Sequence, residues 1–115
     1  MLRNEEIIIY GDGTNTRNYI YIDDVVKTLN QSINNDLNSS NIINLASSDH
    51  FSINEILAMI EKVTHSKLNF TKVPPRNSDN SIIMIDNTKL KQLFPQFKET
   101  NIEMGINETL NYLRN

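Results

Sequence analysis

Short apolar runs, each ended by turn-forming residues, mark the first two-thirds of the chain. Four of these runs have the length and the Ile, Val and Tyr content of β-strands, and they span residues 6–10, 19–22, 41–46 and 68–73. Gly11-Asp12-Gly13 ends the first run and predicts a tight turn, and Pro74-Pro75 ends the fourth. A further short apolar stretch lies at 82–85.

Apolar positions at helical spacing predict a helix after the second and after the third of these strands. Asp23 or Asp24 would cap the first helix, and its apolar side chains are Val25, Val26, Leu29, Ile33 and Leu37. The polar, turn-rich stretch 34–41 would end it. The sequence at 52–55, Ser-Ile-Asn-Glu, has the pattern of a capping box and predicts a second helix whose apolar face is formed by Ile53, Ile56, Leu57, Ile60 and Val63.

Two more helices are predicted in the last third of the chain. Asp86 would cap a short helix that Pro95 stops. The sequence at 100–103, Thr-Asn-Ile-Glu, has the pattern of a second capping box, opening a helix with Ile102, Ile106, Leu110 and Leu113 inward. The order β-β-α-β-α-β-α-α predicts a small α/β domain with a mixed sheet and three to four helices, and 115 residues suffice for a single domain, 1–115.

Composition narrows the range of functions. The net charge of −3 argues against a nucleic-acid partner, because phosphate backbones call for a basic face. The chain has no cysteine, which excludes disulfides and thiolate catalysis. No apolar run approaches membrane-spanning length, and the N-terminus lacks the apolar region of a secretion signal. We therefore expect a cytoplasmic protein with no membrane partner.

Two of the four arginines lie in turn-rich segments. Arg17 follows the Gly-x-Gly turn, and Arg76 follows Pro74-Pro75. A guanidinium binds phosphate bidentately, so two arginines from separate loops could converge on one diphosphate. From composition alone, two solvated surface arginines are the alternative.

The other charged and titratable residues are weaker candidates for a functional site. Asp12, Asp23 and Asp24 could suggest paired carboxylates or a metal site, but helix capping accounts for the last two. His50 and His65 are separated and lack ligand spacing, so neither predicts a metal site.

One segment, Gly11 to Val26, carries the strongest resemblance to a known family. Its sequence, GDGTNTRNYIYIDDVV, is similar to the G-D-G-x-x-x-R-[DN]-[YFW]-[IVL]-[YH]-[VI]-x-D segment of NAD-dependent nucleotide-sugar epimerases and dehydratases, the extended short-chain dehydrogenases. Further segments resemble that family in the same order, at 41–47, 52–55, 74–79, 86–89 and 103–106. The resemblance covers roughly residues 6–113. It departs at Ser78, where the family has a glycine, and at Ile43, where it has an aromatic residue.

The resemblance implies a substrate site in this chain. Arg17 would contact phosphate or the nucleotide, and Tyr19 would line the nucleoside pocket. Arg76 would contact the diphosphate, and Asp79 would accept a ribose hydroxyl. A half-buried strand aromatic is the alternative for Tyr19, and a turn residue is the alternative for Asp79. The implied ligand is a UDP-, dTDP- or GDP-linked hexose.

The motifs that the same family uses for catalysis are absent. No third glycine follows Gly11-Asp12-Gly13 at dinucleotide spacing, and no Tyr-x-x-x-Lys occurs. In the resembled family that Tyr and Lys transfer protons beside the nicotinamide, and NAD supplies the hydride chemistry. We therefore expect no cofactor in this chain, NAD in the full-length parent, and no turnover by the chain alone.

The first half of such an enzyme, its N-terminal dinucleotide-binding Rossmann domain, is accordingly expected to be absent. The strand predicted at 41–46 would then expose an edge. We expect this edge to be covered by self-association or by the missing N-terminal domain.

The leading interpretation is the nucleotide-sugar-binding, C-terminal portion of an NAD-dependent epimerase or dehydratase, catalytically incomplete by itself. The alternative is a non-catalytic interaction module that keeps the fold and docks on a partner chain. An unrelated small α/β domain would require five chance motif matches. The base, the sugar and the choice among epimerase, dehydratase and reductase stay open.

Overall fold

The computed structural model describes residues 5–34, 41–77 and 82–114. In these residues four helices and four short strands follow one another in the predicted order of types. They are β1 (Ile7–Tyr10), β2 (Thr16–Arg17), α1 (Ile22–Asn34), β3 (Phe51–Ser52), α2 (Ile53–Thr64), β4 (Phe70–Val73), α3 (Thr88–Leu93) and α4 (Ile102–Arg114). The expected small mixed α/β fold is thereby confirmed, since one strand pair is parallel and the other antiparallel.

The chain divides into two compact units, and the first comprises the described residues of 5–17, 51–77 and 82–84. β1 pairs with β4 in parallel, with Ile7 opposite Phe70 and Tyr10 opposite Val73. β2 pairs antiparallel with β3. Ile9 is buried whereas its neighbours Ile8 and Tyr10 are exposed, because side chains alternate between the two faces of a strand.

Parallel pairing decides which loops of the first unit become neighbours. Two parallel strands end at the same edge of a sheet, so the segments that leave their carboxyl ends lie side by side. Here those segments are the Gly-Asp-Gly turn after β1 and the Pro-Pro-Arg sequence after β4. Segments distant in the sequence are thus brought to one edge, as the hydrogen bond from the Gly11 N–H to the Val73 carbonyl shows.

The capping box predicted at 52–55 is confirmed. The Ser52 hydroxyl accepts a hydrogen bond from the Glu55 backbone N–H at 3.2 Å, and the Glu55 carboxylate accepts one from the Ser52 N–H at 2.7 Å. α2 ends at His65 in the left-handed conformation, with φ 52°. Both ends of this helix are therefore fixed by local contacts.

The second unit comprises residues 18–34, 41–50 and 85–114 and holds α1, α3 and α4. Its buried apolar side chains belong to α3, the residue after it, α4 and the end of the 41–46 stretch: Ala46, Leu90, Phe94 and Leu110. Gly105 lies within α4 although glycine is a poor helix former, and close packing explains its presence. A Cβ at that position would lie 3.3 Å from the Tyr21 side chain, so glycine lets α4 approach it closely.

Two strand predictions were wrong. Residues 19–21 form no strand, and Ile22 already belongs to α1, because the Tyr21 carbonyl accepts the Asp24 N–H at the helix entrance. Residues 41–46 are not paired with any strand among the described residues. Side chains bond to this stretch instead: Asn44 donates to the Asp86 carbonyl, and the Ala46 carbonyl accepts from Asn87.

The starts of α3 and α4 also differ from prediction. The N-cap position of α3 is occupied by Asn87 and not by the predicted Asp86. Asp86 lies one position before it, and its carboxylate accepts the Thr88 N–H at 2.8 Å. α4 is capped by Asn101, whose side-chain oxygen accepts the Glu103 N–H at 3.0 Å. The predicted capping box with Thr100 is wrong, because the Thr100 hydroxyl is donated elsewhere. Leu37, one of the apolar positions predicted for the first helix, lies outside the described residues.

Candidate functional site

The Gly11-Asp12-Gly13 turn is built from two residues in the left-handed region, with φ 83° at Gly11 and 80° at Gly13. Side chains other than glycine are strained at such angles. Gly13 is constrained further, because a Cβ there would lie 2.3 Å from the Asn54 side-chain oxygen. The turn is therefore specified both by backbone conformation and by close packing against the start of α2.

Asp12 stabilises this turn through both its side chain and its backbone. The carboxylate accepts hydrogen bonds from the hydroxyl and the N–H of Thr14, at 2.6 and 2.9 Å, and these bonds lower the pKa of Asp12 below its ordinary value. The Asp12 carbonyl accepts from Asn54 at 3.1 Å and from the Lys72 ammonium at 2.6 Å. These contacts give Asp12 a structural role.

The loop after β4 packs against the same turn. The Gly11 N–H donates to the Val73 carbonyl at 2.8 Å. A Cβ on Gly11 would lie 3.5 Å from the Cβ of Pro75, so the two loops are in van der Waals contact. Because Pro74 and Pro75 each have a fixed φ, this contact restricts the direction in which the chain continues to Arg76.

Arg76 lies over the ring of Tyr10, with its Cζ atom 3.9 Å from the ring centroid. This is a cation–π contact between the last residue of β1 and the loop that follows β4. Arg76 is exposed, so an oxyanion from solvent can reach it. Arg76 is thus an arginine of the predicted site whose guanidinium is supported by an aromatic ring.

Arg17 lies in β2 and is half-buried. It lines a cleft of about 260 Å³, together with Tyr10, Asn15, Ile53 and the apolar strand residues Ile7, Ile8 and Ile9. Its Nη1 donates to the Thr16 carbonyl at 2.7 Å. A guanidinium carries more donors than this bond uses, so a bidentate contact with an oxyanion is compatible with it. Tyr10 thus lines the cleft that contains Arg17, and its ring supports Arg76.

The structure does not bring the other two predicted site residues, Tyr19 and Asp79, into this arrangement. Tyr19 belongs to the second unit and is half-buried, between β2 and α1. Asp79 lies outside the described residues. The structure therefore brings Arg17 and Arg76 into one unit, organised around Tyr10, a residue that sequence reasoning did not select. Its position immediately before the glycine turn was the available signal.

The second unit contains a polar cluster that sequence reasoning also missed. Asn18 donates to the carbonyls of Ser47 and Asp49 at 2.9 and 3.2 Å and accepts the Ile85 N–H at 2.9 Å. The Glu99 carboxylate accepts from the N–H and hydroxyl of Ser48 at 3.0 and 2.6 Å. These bonds join segments distant in sequence, so the cluster has a structural role.

The remaining acidic candidates do not form a metal or acid–base site. Asp24 is buried and accepts hydrogen bonds from Thr100. The prediction that Asp23 or Asp24 is the N-cap of α1 was wrong, because α1 begins at Ile22 and both residues lie within its first turn. No group of three His, Cys, Asp or Glu residues that could hold a metal occurs in the described part of the chain. None of the four helices described is long and apolar enough to cross a membrane.

A dinucleotide does not fit the glycine turn. In dinucleotide-binding folds such a turn opens a helix, whose N-terminus receives the pyrophosphate. Here the turn leads through residues 14 and 15 into β2, and the space beside Gly13 is filled by Asn54. The site therefore suits a ligand oxyanion held by arginine side chains, with adjoining apolar surface.

Comparison with known proteins shows which family this sequence resembles. Residues 1–46 match the profile of the NAD dependent epimerase/dehydratase family. The UDP-N-acetyl-alpha-D-glucosaminuronate decarboxylase of Bacillus cytotoxicus is 31% identical over 98% of the chain. The match covers 37% of that relative, so the chain spans little more than a third of its length.

The chain also superposes on solved structures. The UDP-glucose 4-epimerase of Thermotoga maritima, solved with UDP-glucose, superposes with a TM-score of 0.84 at 29% identity, over 99% of this chain and 36% of that one. The UDP-glucuronic acid 4-epimerase of Bacillus cereus, solved with UDP-glucuronic acid and NAD, gives 0.86 at 24% identity, over 98% and 36%. The latter likeness shows the fold alone.

Proposed function

The chain belongs to the NAD-dependent epimerase/dehydratase family, and we propose that it is the nucleotide-sugar-binding, C-terminal portion of such an enzyme. It spans little more than a third of its relatives, so the parent's activity is part of this proposal. The parent reaction is transient oxidation of a nucleotide-linked hexose, with NAD bound mainly by an N-terminal domain. The chain alone is catalytically incomplete.

One observation carries the proposal. Arg17 lies in β2 and Arg76 in the loop after β4, and Tyr10 is common to both: it lines the cleft that contains Arg17, and its ring supports the guanidinium of Arg76. Paired guanidinium groups suit a diphosphate, whose charge and planar arrays of oxygens they match bidentately. The apolar wall of the cleft offers surface for an uncharged part of the ligand.

The proposed ligand class is a nucleoside diphosphate hexose. A UDP-sugar is the first candidate, because the Bacillus cytotoxicus relative and the Thermotoga maritima enzyme both act on UDP-linked sugars, and the latter was solved with UDP-glucose. In this proposal Arg17 and Arg76 bind the diphosphate, Tyr19 lines the nucleoside pocket and Asp79 accepts a ribose hydroxyl. We place the protein in the cytoplasm, where nucleotide sugars are made.

Calorimetric titration with UDP, dTDP and GDP tests this function. We expect heat with at least one of them and the largest response to UDP. Replacing Arg17 or Arg76 by Lys keeps the charge but removes bidentate geometry, so each variant should bind UDP more weakly than wild type. Arg114→Lys, on the exposed last turn of α4, is the matched control and should not change binding.

A non-catalytic interaction module that docks on a partner chain is the second candidate, and one observation favours it. α1 carries exposed apolar side chains at helical spacing, namely Ile22, Val26, Leu29 and Ile33. Such a stripe is typical of a helix that packs against another element. Sedimentation across a wide concentration range tests the self-association expected from the sequence, in which that element belongs to a second copy of this chain. A folded monomer at every concentration would contradict self-association.

A further inference from the structure

We propose that Tyr10 is a positioning residue for Arg76, holding its guanidinium ready for the ligand diphosphate. This inference rests on the proposed function and assigns a role within that same site. Its basis is the contact in which the Arg76 Cζ atom lies 3.9 Å from the centroid of the Tyr10 ring.

Both partners of this contact are fixed through their backbones. Tyr10 is the last residue of β1 and pairs in register with Val73 of β4. The Gly11 N–H donates to the Val73 carbonyl, and Gly11 packs against Pro75, which precedes Arg76. The loop that carries Arg76 therefore has little freedom at its origin, and the arginine side chain is the remaining mobile part.

Stacking on an aromatic ring restrains that side chain without using its donors. An arginine that is free in solvent populates many rotamers, and ordering them opposes ligand binding. A ring face contacts the guanidinium plane, whereas hydrogen bonds to phosphate leave from its edge. Tyr10 can thus orient Arg76 and leave its edge available for a bidentate contact.

The Tyr10 substitutions separate this role from a merely structural one. Tyr10→Phe keeps the aromatic face and should bind UDP as wild type does. Tyr10→Leu removes the face but retains apolar bulk and should bind UDP about fivefold more weakly, the factor expected for a partly exposed cation–π contact. Circular dichroism and thermal melting of each variant establish that it is folded.

A double-mutant cycle tests whether Tyr10 acts through Arg76. In an Arg76→Ala background, Tyr10→Leu should have no further effect on UDP binding, whereas in an Arg17→Ala background the fivefold loss should persist. An equal loss with and without Arg76 would overturn the proposal, because Tyr10 would then act directly on the ligand. An unchanged affinity in Tyr10→Leu would overturn it as well.

A measurement without ligand keeps this inference distinct from the proposed function. NMR relaxation of the Arg76 side-chain Nε–H group should show an ordered guanidinium in wild type and Tyr10→Phe and a mobile one in Tyr10→Leu. The exposed Arg114 provides the mobile reference. If Arg76 is as mobile as Arg114 in the wild-type protein, the inference fails even when UDP binds. If Arg76 is ordered but UDP does not bind, the proposed function fails instead.

Discussion

The carboxylate of Asp24 accepts two hydrogen bonds from Thr100, one from its N–H at 2.7 Å and one from its hydroxyl at 2.8 Å. Asp24 lies in the first turn of α1, is 3% exposed, and is separated from Thr100 by 76 positions in the chain. These bonds join the start of α1 to the residues just before α4. A buried carboxylate is tolerated because both donors compensate its lost hydration.

Replacing Asp24 by Ala should therefore destabilise the protein strongly. The change removes two charge-assisted hydrogen bonds and leaves the donors of Thr100 without their acceptor, so we expect a loss of about 2–4 kcal/mol in the free energy of unfolding. Urea denaturation measures it. Asp23→Ala alters the exposed neighbour on the same turn and should cost less than about 1 kcal/mol. Equal losses in the two variants would contradict a stabilising role for the buried hydrogen bonds of Asp24.

Glu99 should make stability depend on pH in the acid range. Partial burial opposes its ionisation, but hydrogen bonds from Ser48, Lys91 and Ser47 outweigh that burial and lower the pKa of Glu99 to about 2. Since the pKa is lower in the folded state than the ordinary 4.5, the stabilisation is fully present above pH 4.5 and is lost as pH falls towards 2.

The corresponding experiment compares wild type with Glu99→Gln between pH 7 and pH 2. Above pH 4.5 wild type should be more stable by about 1–2 kcal/mol, since solvent screens part of the interaction, and most of the difference should be lost by pH 2. Glu108→Gln, on the exposed face of α4, should track wild type throughout. A pH-independent difference for Glu99→Gln would contradict the account.

The two glycines of the turn should respond differently to alanine. At Gly11 an added Cβ meets ordinary packing, at 3.5 Å from Pro75, so Gly11→Ala carries only the strain of a positive φ, about 1–2 kcal/mol. At Gly13 the same strain adds to a clash with Asn54 at 2.3 Å. Gly13→Ala should therefore be the more destabilising of the two in thermal unfolding, and Asn54→Ala should relieve the excess. The reverse ranking would contradict this packing.

Features that depend on neighbours in the sequence could be predicted. The capping box at Ser52 and Glu55 lies within one helical turn, and α2 follows from it together with the apolar spacing. The Gly-Asp-Gly turn likewise follows from local backbone preference. The Thr100 capping box shows the limit of this reasoning. The same Ser/Thr-x-x-Glu pattern failed because the hydroxyl of Thr100 found a buried partner, Asp24, in a distant helix.

Features that depend on pairing between distant segments could not be predicted. An apolar run such as 41–46 has the composition of a strand, but a strand also requires a partner, and the described residues supply none. The candidate site shows the same division. Arg17 and Arg76 were identifiable as arginines in loops, whereas the support of Arg76 by Tyr10 depends on parallel pairing of β1 with β4.

The most direct test of the central claim is the affinity of UDP for wild type, Arg17→Ala, Arg76→Ala and Arg114→Ala, measured by calorimetry at fixed ionic strength. The account predicts weak but measurable binding to wild type. It predicts a loss of about tenfold or more in each of the first two variants, as expected for a charge-assisted bond, and no change in the third. Equal affinity in all four proteins, or no binding by a folded wild-type chain, would contradict it.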